Sequence, residues 1–383
     1  MKDNPRDYLF IVRLLLLLLI FTSIIISCTK EVTQSTEFDF EAACGKCHSS
    51  SNPEYPLLGA REGYNNSGHY LGFELHTKNA YYANGGGCQH CHTNEGFIEY
   101  VSTGEIDPES FVANPSQPGC FTCHDSHTTG DFSIRATPDV ILADGVEIDL
   151  GEANLCASCH RARRGGDAVT LMAADSVSPY WGPHHGPEAD LFTGNSAYET
   201  PGKKYSNSAH TTVMKDACIT CHMALPEGRY SASSELGGHS FSMTGEVHGA
   251  EKVNLSACID CHGTLKQAAG SDYYDYKVKD YDTDGVLEPV QMEVYGLLEL
   301  LVSNDGSGIL QNLSLPLFKA DGSFNTIRDN STERPVEEIG ALYNYKLILE
   351  DRSLGIHNTN YTIQILYDTI EALDPGFDTS LRP

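Results

Sequence analysis

Hydrophobic residues are distributed along the chain in three regimes. The first is a block: after Lys2, Arg6 and Arg13, residues 14–26 are almost wholly apolar, interrupted only by Thr22 and Ser23. That run is short for a membrane span and suits a secretory leader. The second regime, residues 41–265, has no long helical period; Gly, Asn, Ser and short polar runs predict brief helices joined by loops. Helical periodicity returns in the third. Val290, Val294, Leu297, Leu298 and Leu301 fall on one face, predicting a helix over 290–302. Pro335 is placed to start a second helix that runs to 350. Ile363, Leu366, Tyr367 and Ile370 mark a third over 360–373. Residues 304–334, with Gly306, Gly308 and Gly322, read as a loop or short hairpin.

The middle regime lacks apolar residues for a conventional core, and its cysteines supply the reason. Cys218-Ile219-Thr220-Cys221-His222 is a CxxCH pentapeptide, the attachment signature of a c-type haem. Each thiol adds across one vinyl group, and the adjacent imidazole falls beneath the iron. The pattern recurs at Cys44, Cys47 and His48; Cys88, Cys91 and His92; Cys120, Cys123 and His124; Cys156, Cys159 and His160; and Cys258, Cys261 and His262. Six motifs use twelve of the thirteen cysteines. Zinc sites pair CxxC units without requiring His after each, so six of six favours six covalent haems. No thiols remain for a disulfide framework. At fewer than 40 residues per motif across 41–265, neighbouring macrocycles must pack on one another. The expected fold is mainly α with much irregular loop, organised around six packed haems, with a C-terminal helical region.

Ten histidines lie outside the proximal positions and can supply second axial ligands. His69, His127, His185, His210, His248 and His357 rank first as distal candidates, with His76, His184 and His239 in reserve. His90, inside its own motif, could serve another haem. His127 lies too close in sequence to His124 to reach the other face of the same iron, so it would serve a neighbour. Met is the competing axial ligand, but core packing accounts for Met172, Met214, Met223 and Met243.

Charge narrows the partners. With 52 acidic against 25 basic residues the formal charge is −27, which argues against nucleic acid and favours basic redox partners or cations. The leader ends Ile25-Ile26-Ser27-Cys28, which resembles a bacterial lipobox. The resemblance implies cleavage before Cys28 and a lipid on its thiol, which explains the thirteenth cysteine. Thr29 in place of Asp implies sorting to the outer membrane, at the periplasmic face or the cell surface. The expected organisation is a leader over 1–27, a tether over 28–40, a six-haem domain over 41–265 and a helical domain over 266–383. Near the start of the last, Asp280, Asp282 and Asp284 followed by Gly285 resemble the first half of an EF-hand-like calcium loop. Gln291 stands where that loop has Glu, and an acidic turn before a helix is the alternative.

The Cys218–Met223 stretch, Pro183-His184-His185-Gly186-Pro187, and Tyr343-Asn344-Tyr345 followed by Gly355-Ile356-His357-Asn358 together resemble a family. It is the multihaem cytochromes c that include cytochrome c nitrite reductase and its octahaem relatives. The resemblance implies a distal-ligand role for His357. Those reductases bind their catalytic haem through CxxCK, whereas all six motifs here end in His. The expectation is therefore an electron-transfer cytochrome passing electrons through bis-His haems to another cytochrome, redox protein or extracellular acceptor. The alternative is a reductase of nitrite, hydroxylamine or a sulfur oxyanion with one open haem. The C-terminal helices offer a surface for a homodimer.

Overall fold

The computed structural model describes residues 57–76, 88–105, 112, 115–169, 180–214, 216–325 and 334–383. The leader, Cys28 and the motif of Cys44, Cys47 and His48 lie outside the described residues. Residues 58–383 form one compact unit.

Among the described residues six helices reach nine residues or more: α1 (Leu57–Asn65), α2 (Gly68–His76), α3 (Asn94–Thr103), α4 (Val290–Leu301), α5 (Val336–Asp351) and α6 (Thr359–Leu373). The last three start and stop within a residue of the limits that periodicity set. Pro289 and Pro335 stand immediately before α4 and α5, where a missing N–H costs nothing. Asn358 caps α6, its side chain accepting from the Tyr361 N–H. Arg352, at φ +59°, turns the chain out of α5. The five apolar residues of α4 named above are buried against Ile339, Leu342, Tyr343, Leu347 and Ile348 of α5 and Ile363, Leu366, Tyr367 and Ile370 of α6. Each such side chain stabilises the fold by about 1.5–3 kcal/mol on burial. Val169, Trp181 and Leu191 join the same cluster, so the haem-motif region is anchored to these helices.

Elsewhere apolar packing is thin. Val140, Leu142, Ile148, Ala157 and Ala189 make one small cluster, and Ala153, Phe192 and Ala217 another. Two antiparallel hairpins add local order. β1 (Val140–Ile141) pairs with β2 (Glu147–Ile148), and β3 (Thr244–Val247) with β4 (Ala250–Val253). The β3–β4 connection is His248-Gly249, both at positive φ (+54° and +77°), the two-residue turn that matches strand twist. The 304–334 excursion holds a 3₁₀ turn at Ile309–Gln311 and a bridge between Phe318 and Phe324, with 326–333 outside the described residues. No helix among the described residues is long and apolar enough to cross a membrane.

Candidate haem-binding site

Each described motif lies on or beside a short helix: Gln89–His92, Cys120–Cys123, Asn154–Ala157, Ala217–His222 and Ile259–His262. The His92, His124, His160 and His262 N–H groups donate to the carbonyl of their own first Cys, and His222 closes the helix that holds both of its cysteines. One helical turn therefore sets both sulfurs and the imidazole in a fixed relation. Local caps hold these turns. Thr93 accepts from Gly96 N–H while donating back to the Gln89 carbonyl, and Thr122 donates to Asn94, tying the second turn to the segment that follows the first.

Every described CxxCH histidine faces the ring of a histidine distant in sequence. Centroid separations are 6.4 Å for His92–His184, 6.2 Å for His124–His239, 5.9 Å for His160–His69, 6.2 Å for His222–His357 and 5.9 Å for His262–His210. Two metal–imidazole bonds of about 2.0 Å, plus the offset of each ring centre from its nitrogen, require about 6 Å. The residues thus fit haem held between two imidazoles at each of these five motifs.

The opposite ring nitrogens are tied to the protein. His124 Nδ1 bonds the Ser133 carbonyl at 3.3 Å, His222 Nδ1 the Phe241 carbonyl at 2.7 Å and His210 Nδ1 the Ile356 carbonyl at 2.9 Å. Two are held by carboxylates instead: His160 by Glu188 at 3.1 Å and His357 by Asp351 at 2.6 Å. Each contact fixes the ring and leaves Nε2 as the free donor atom. Desolvation by surrounding protein lowers His69 and His184 to about 4, with His160 adding for the first and Arg163 for the second. Both residues are exposed at the surface left between the motifs, and a neutral imidazole is the ligating form. Burial disfavours charge on His357, but the adjoining Asp351 outweighs it and raises the ring to about 9.

The sequence ranking is reordered by this geometry. His69, His210 and His357 each face a motif histidine. His184 and His239, placed in reserve, do so too. His185 is turned away and pairs its Nδ1 with Glu350 at 2.7 Å, because His184 takes a left-handed backbone (φ +77°) that splits the directions of the two neighbours. His248 occupies the hairpin turn, and His127 lies against Phe121 at 5.0 Å. His90 packs on Tyr100, its Nδ1 buried without a hydrogen-bond partner. His76 closes α2.

Three residues escaped the sequence reading. Glu188 and Asp351 back histidines, and carboxylates in so acidic a chain carry no distinguishing signal. Asn358, fully buried, accepts from Ser208 N–H at 2.9 Å and donates to Asn207 at 2.8 Å. It staples the segment carrying His210 to the segment carrying His357; its place beside His357 was the available clue.

The motifs also touch. Cys91 Sγ lies 3.9 Å from the Ser158 carbonyl and Cys159 Sγ 3.7 Å from the His90 carbonyl. The thiols of Cys91 and Cys159 perturb one another's ionisation, and so do those of Cys156 and Cys218. Burial, followed by the nearby Cys221, pushes the Cys258 thiol up to about 11. His69, which faces His160, packs on Phe241 at 5.2 Å, and the Phe241 carbonyl holds His222; His210, which faces His262, bonds the carbonyl of Ile356 next to His357, so the groups of His92, His160, His222 and His262 follow one another in space.

A second cluster lies at the start of α4. Ligand atoms of Asp280, Asp282 and Glu293, and of Asp282, Asp284 and Glu288, come within 4.8 Å of one another. Gly285 N–H donates to Asp280 and Val286 N–H to Asp284, the inward folding of a cation loop. Gln291, at the expected bidentate position, instead accepts from Tyr274 N–H; Glu293, fully buried, brings its carboxylate to the loop. Burial, then Glu293 and the neighbouring aspartates, raises Asp282 to about 6, and Asp280 Oδ1 is buried without a hydrogen-bond partner. The donor set fits a hard cation.

No family model matches the chain. The C-type polyheme cytochrome OmcB of Geobacter sulfurreducens is 24% identical over 353 residues, covering 76% of this chain and 44% of that protein. OmcC of the same organism is 22% identical over 355 residues, covering 77% and 43%. The chain thus spans less than half the length of the curated relatives it matches. Among solved structures, the undecaheme cytochrome from the S-layer of Carboxydothermus ferrireducens aligns with a TM-score of 0.40 at 17% identity, covering 81% of this chain and 41% of that one. The outer cell wall cytochrome OcwA aligns at 0.44 and 18%, covering 84% and 50%. The curated relatives and the repeated CxxCH motifs together support a multihaem c-type cytochrome.

Proposed function

We propose that this chain is an exported electron-transfer cytochrome holding six c-type haems by bis-histidine ligation. The observation that carries the reading is the set of five ring pairs at 5.9–6.4 Å, each joining a motif histidine to a remote one. The axial pairs are His92 with His184, His124 with His239, His160 with His69, His222 with His357 and His262 with His210. Cys88, Cys91, Cys120, Cys123, Cys156, Cys159, Cys218, Cys221, Cys258 and Cys261 attach the five groups, and Cys44, Cys47 and His48 hold the sixth. Bound haem c supplies a reversible one-electron couple at iron. The residues keep two strong nitrogen donors in place in both oxidation states, which holds the potential below that of Met/His ligation. The contacts between motif cysteines favour transfer from group to group along one path.

A lipid on Cys28, in keeping with the lipobox-like stretch before it, anchors the chain to the outer membrane in this reading. The acidic surface suits a basic redox partner, and the exposed Tyr295 of α4 and Leu349 of α5, which line one shallow pocket, offer an apolar patch for a second copy. Calcium at Asp280, Asp282, Asp284 and Glu293 completes the cofactors.

Low-temperature EPR of the oxidised holoprotein, with haem content quantified, tests this reading. Six haems with only low-spin signals are expected. A stoichiometric high-spin signal that shifts on adding nitrite or hydroxylamine would mark an open iron and overturn it in favour of a reductase.

A further inference from the structure

The backing of the five histidine pairs is not uniform. His210 and His222 donate from Nδ1 to main-chain carbonyls, which are neutral acceptors. His357 donates to Asp351, whose side chain has no exposure and whose Oδ1 lies 2.6 Å from the ring. That carboxylate is held in place from its other oxygen: Ser353 Oγ donates to Oδ2 at 2.5 Å and Ser353 N–H at 3.3 Å. Ser353 Oγ also accepts the His357 N–H at 3.2 Å, so ring, serine and carboxylate close a small loop at the end of α5. Asp351 belongs to neither of the acidic clusters at the start of α4.

We propose that Asp351 is a positioning residue that makes His357 a stronger donor and so sets the haem of the His222 motif below the haem of the His262 motif in potential. A buried carboxylate accepting from Nδ1–H draws the ring toward imidazolate character, and a more basic ligand favours ferric over ferrous iron. The His262 group has no such carboxylate on its distal ring, because His210 is backed by the Ile356 carbonyl. Since the two distal rings are neighbours, His210 Nδ1 bonding the carbonyl of Ile356 next to His357 at 2.9 Å, the difference gives electrons a preferred direction from the His222 group to the His262 group. Ser353 moderates the effect by sharing the carboxylate charge.

This inference rests on the ligation of the His222 group by His357. The test is therefore an EPR-monitored redox titration of the full-length holoprotein with three variants, each with haem content measured. In Asp351→Asn one low-spin transition is expected to move to higher potential, its signal remaining low-spin. In Ser353→Ala the same transition is expected to move lower, because the carboxylate charge is then concentrated on the ring. In His357→Met it moves higher and the signal changes character. If Asp351→Asn leaves every transition in place while His357→Met shifts one, the ligation stands and the role of Asp351 is overturned. If neither shifts any, His357 is not a ligand and both readings fall. Should Asp351→Asn fail to incorporate haem, Ser353→Ala decides: a downward shift supports the proposal and an unmoved titration overturns it.

Discussion

Asp190 illustrates how single residues trade stability for placement. It has no exposure and accepts from the Ala162 N–H at 2.6 Å, pinning the loop that follows His160. Desolvation raises its carboxyl from 3.8 to about 6. The folded state therefore binds the proton more tightly than the unfolded state. This contribution is complete below about pH 3.8 and is lost as pH rises through about 6. Asp190→Asn keeps an acceptor for Ala162 but carries no charge. Its stability should match the parent below pH 4 and exceed it at pH 8 by roughly 1–3 kcal/mol, since a tenfold change in proton affinity is worth about 1.4 kcal/mol. Denaturant titrations at the two pH values check this. Equal midpoints at pH 8 would mean the carboxylate is adequately solvated. The neighbouring histidines show where sequence reading stops. His184 and His185 are adjacent, equally flanked by Pro and Gly, and nothing in their order ranks one above the other. The sign of φ at His184 and a carboxylate 165 residues away decide it. His184→Ala should convert one haem to high spin, whereas His185→Ala should leave the spin state unchanged, as an EPR comparison of the two would report.

At the scale of elements, what the sequence disclosed depended on whether an element carries its own signal. The helices α4, α5 and α6 were legible because they are rich in apolar residues and begin at Pro or Asn; α4 buries a stripe, whereas α5 and α6 bury 339–344 and 361–370 without interruption, more than a single apolar face would. The CxxCH motifs could be read directly because haem attachment demands a contiguous pentapeptide. The distal side was only half legible, since those histidines arrive from α2, the 181–187 loop, the short helix that His210 opens, a 3₁₀ turn and the segment before α6, joined by long-range packing alone. The acidic loop lies between these cases: Asp280, Asp282 and Asp284 announce it, but Glu293 enters from α4 in place of Gln291. That arrangement needs close approach of loop and helix. A Cβ on Gly296 would lie 1.9 Å from Asp282 Oδ2. Gly296→Ala would ordinarily favour a helix by about 1 kcal/mol. Here it should push Asp282 off the site, weakening calcium binding at least tenfold and lowering the melting temperature. Calorimetric titration with calcium of the holoprotein checks this; unchanged affinity would remove Asp282 from the ligand set.

Across the whole molecule, the apolar core is lopsided. The large cluster is drawn almost entirely from residues after 280, with Val169, Trp181 and Leu191 as its links to the motif region. Among the described residues of 88–265 the other buried apolar clusters comprise five and three residues, several of them alanines. Clusters of that size stabilise the fold by only a few kcal/mol at about 25 cal/mol per Å². Ordering the backbone costs about 1–2 kcal/mol per residue. Hairpins and short helical turns of this kind do not persist alone in water. On the haem attachment proposed above, the 88–265 region is ordered chiefly by what its ten motif cysteines hold, whereas α4, α5 and α6 bury enough surface to hold each other. Replacing the motif cysteines by serine should therefore abolish protection of 58–265 in limited proteolysis while leaving a resistant fragment from about 280 to the C-terminus. That fragment should keep helical far-UV dichroism. If the motif region instead stayed protected in the haem-free chain, protein contacts would suffice to order it, and a core built on the attached groups would be refuted.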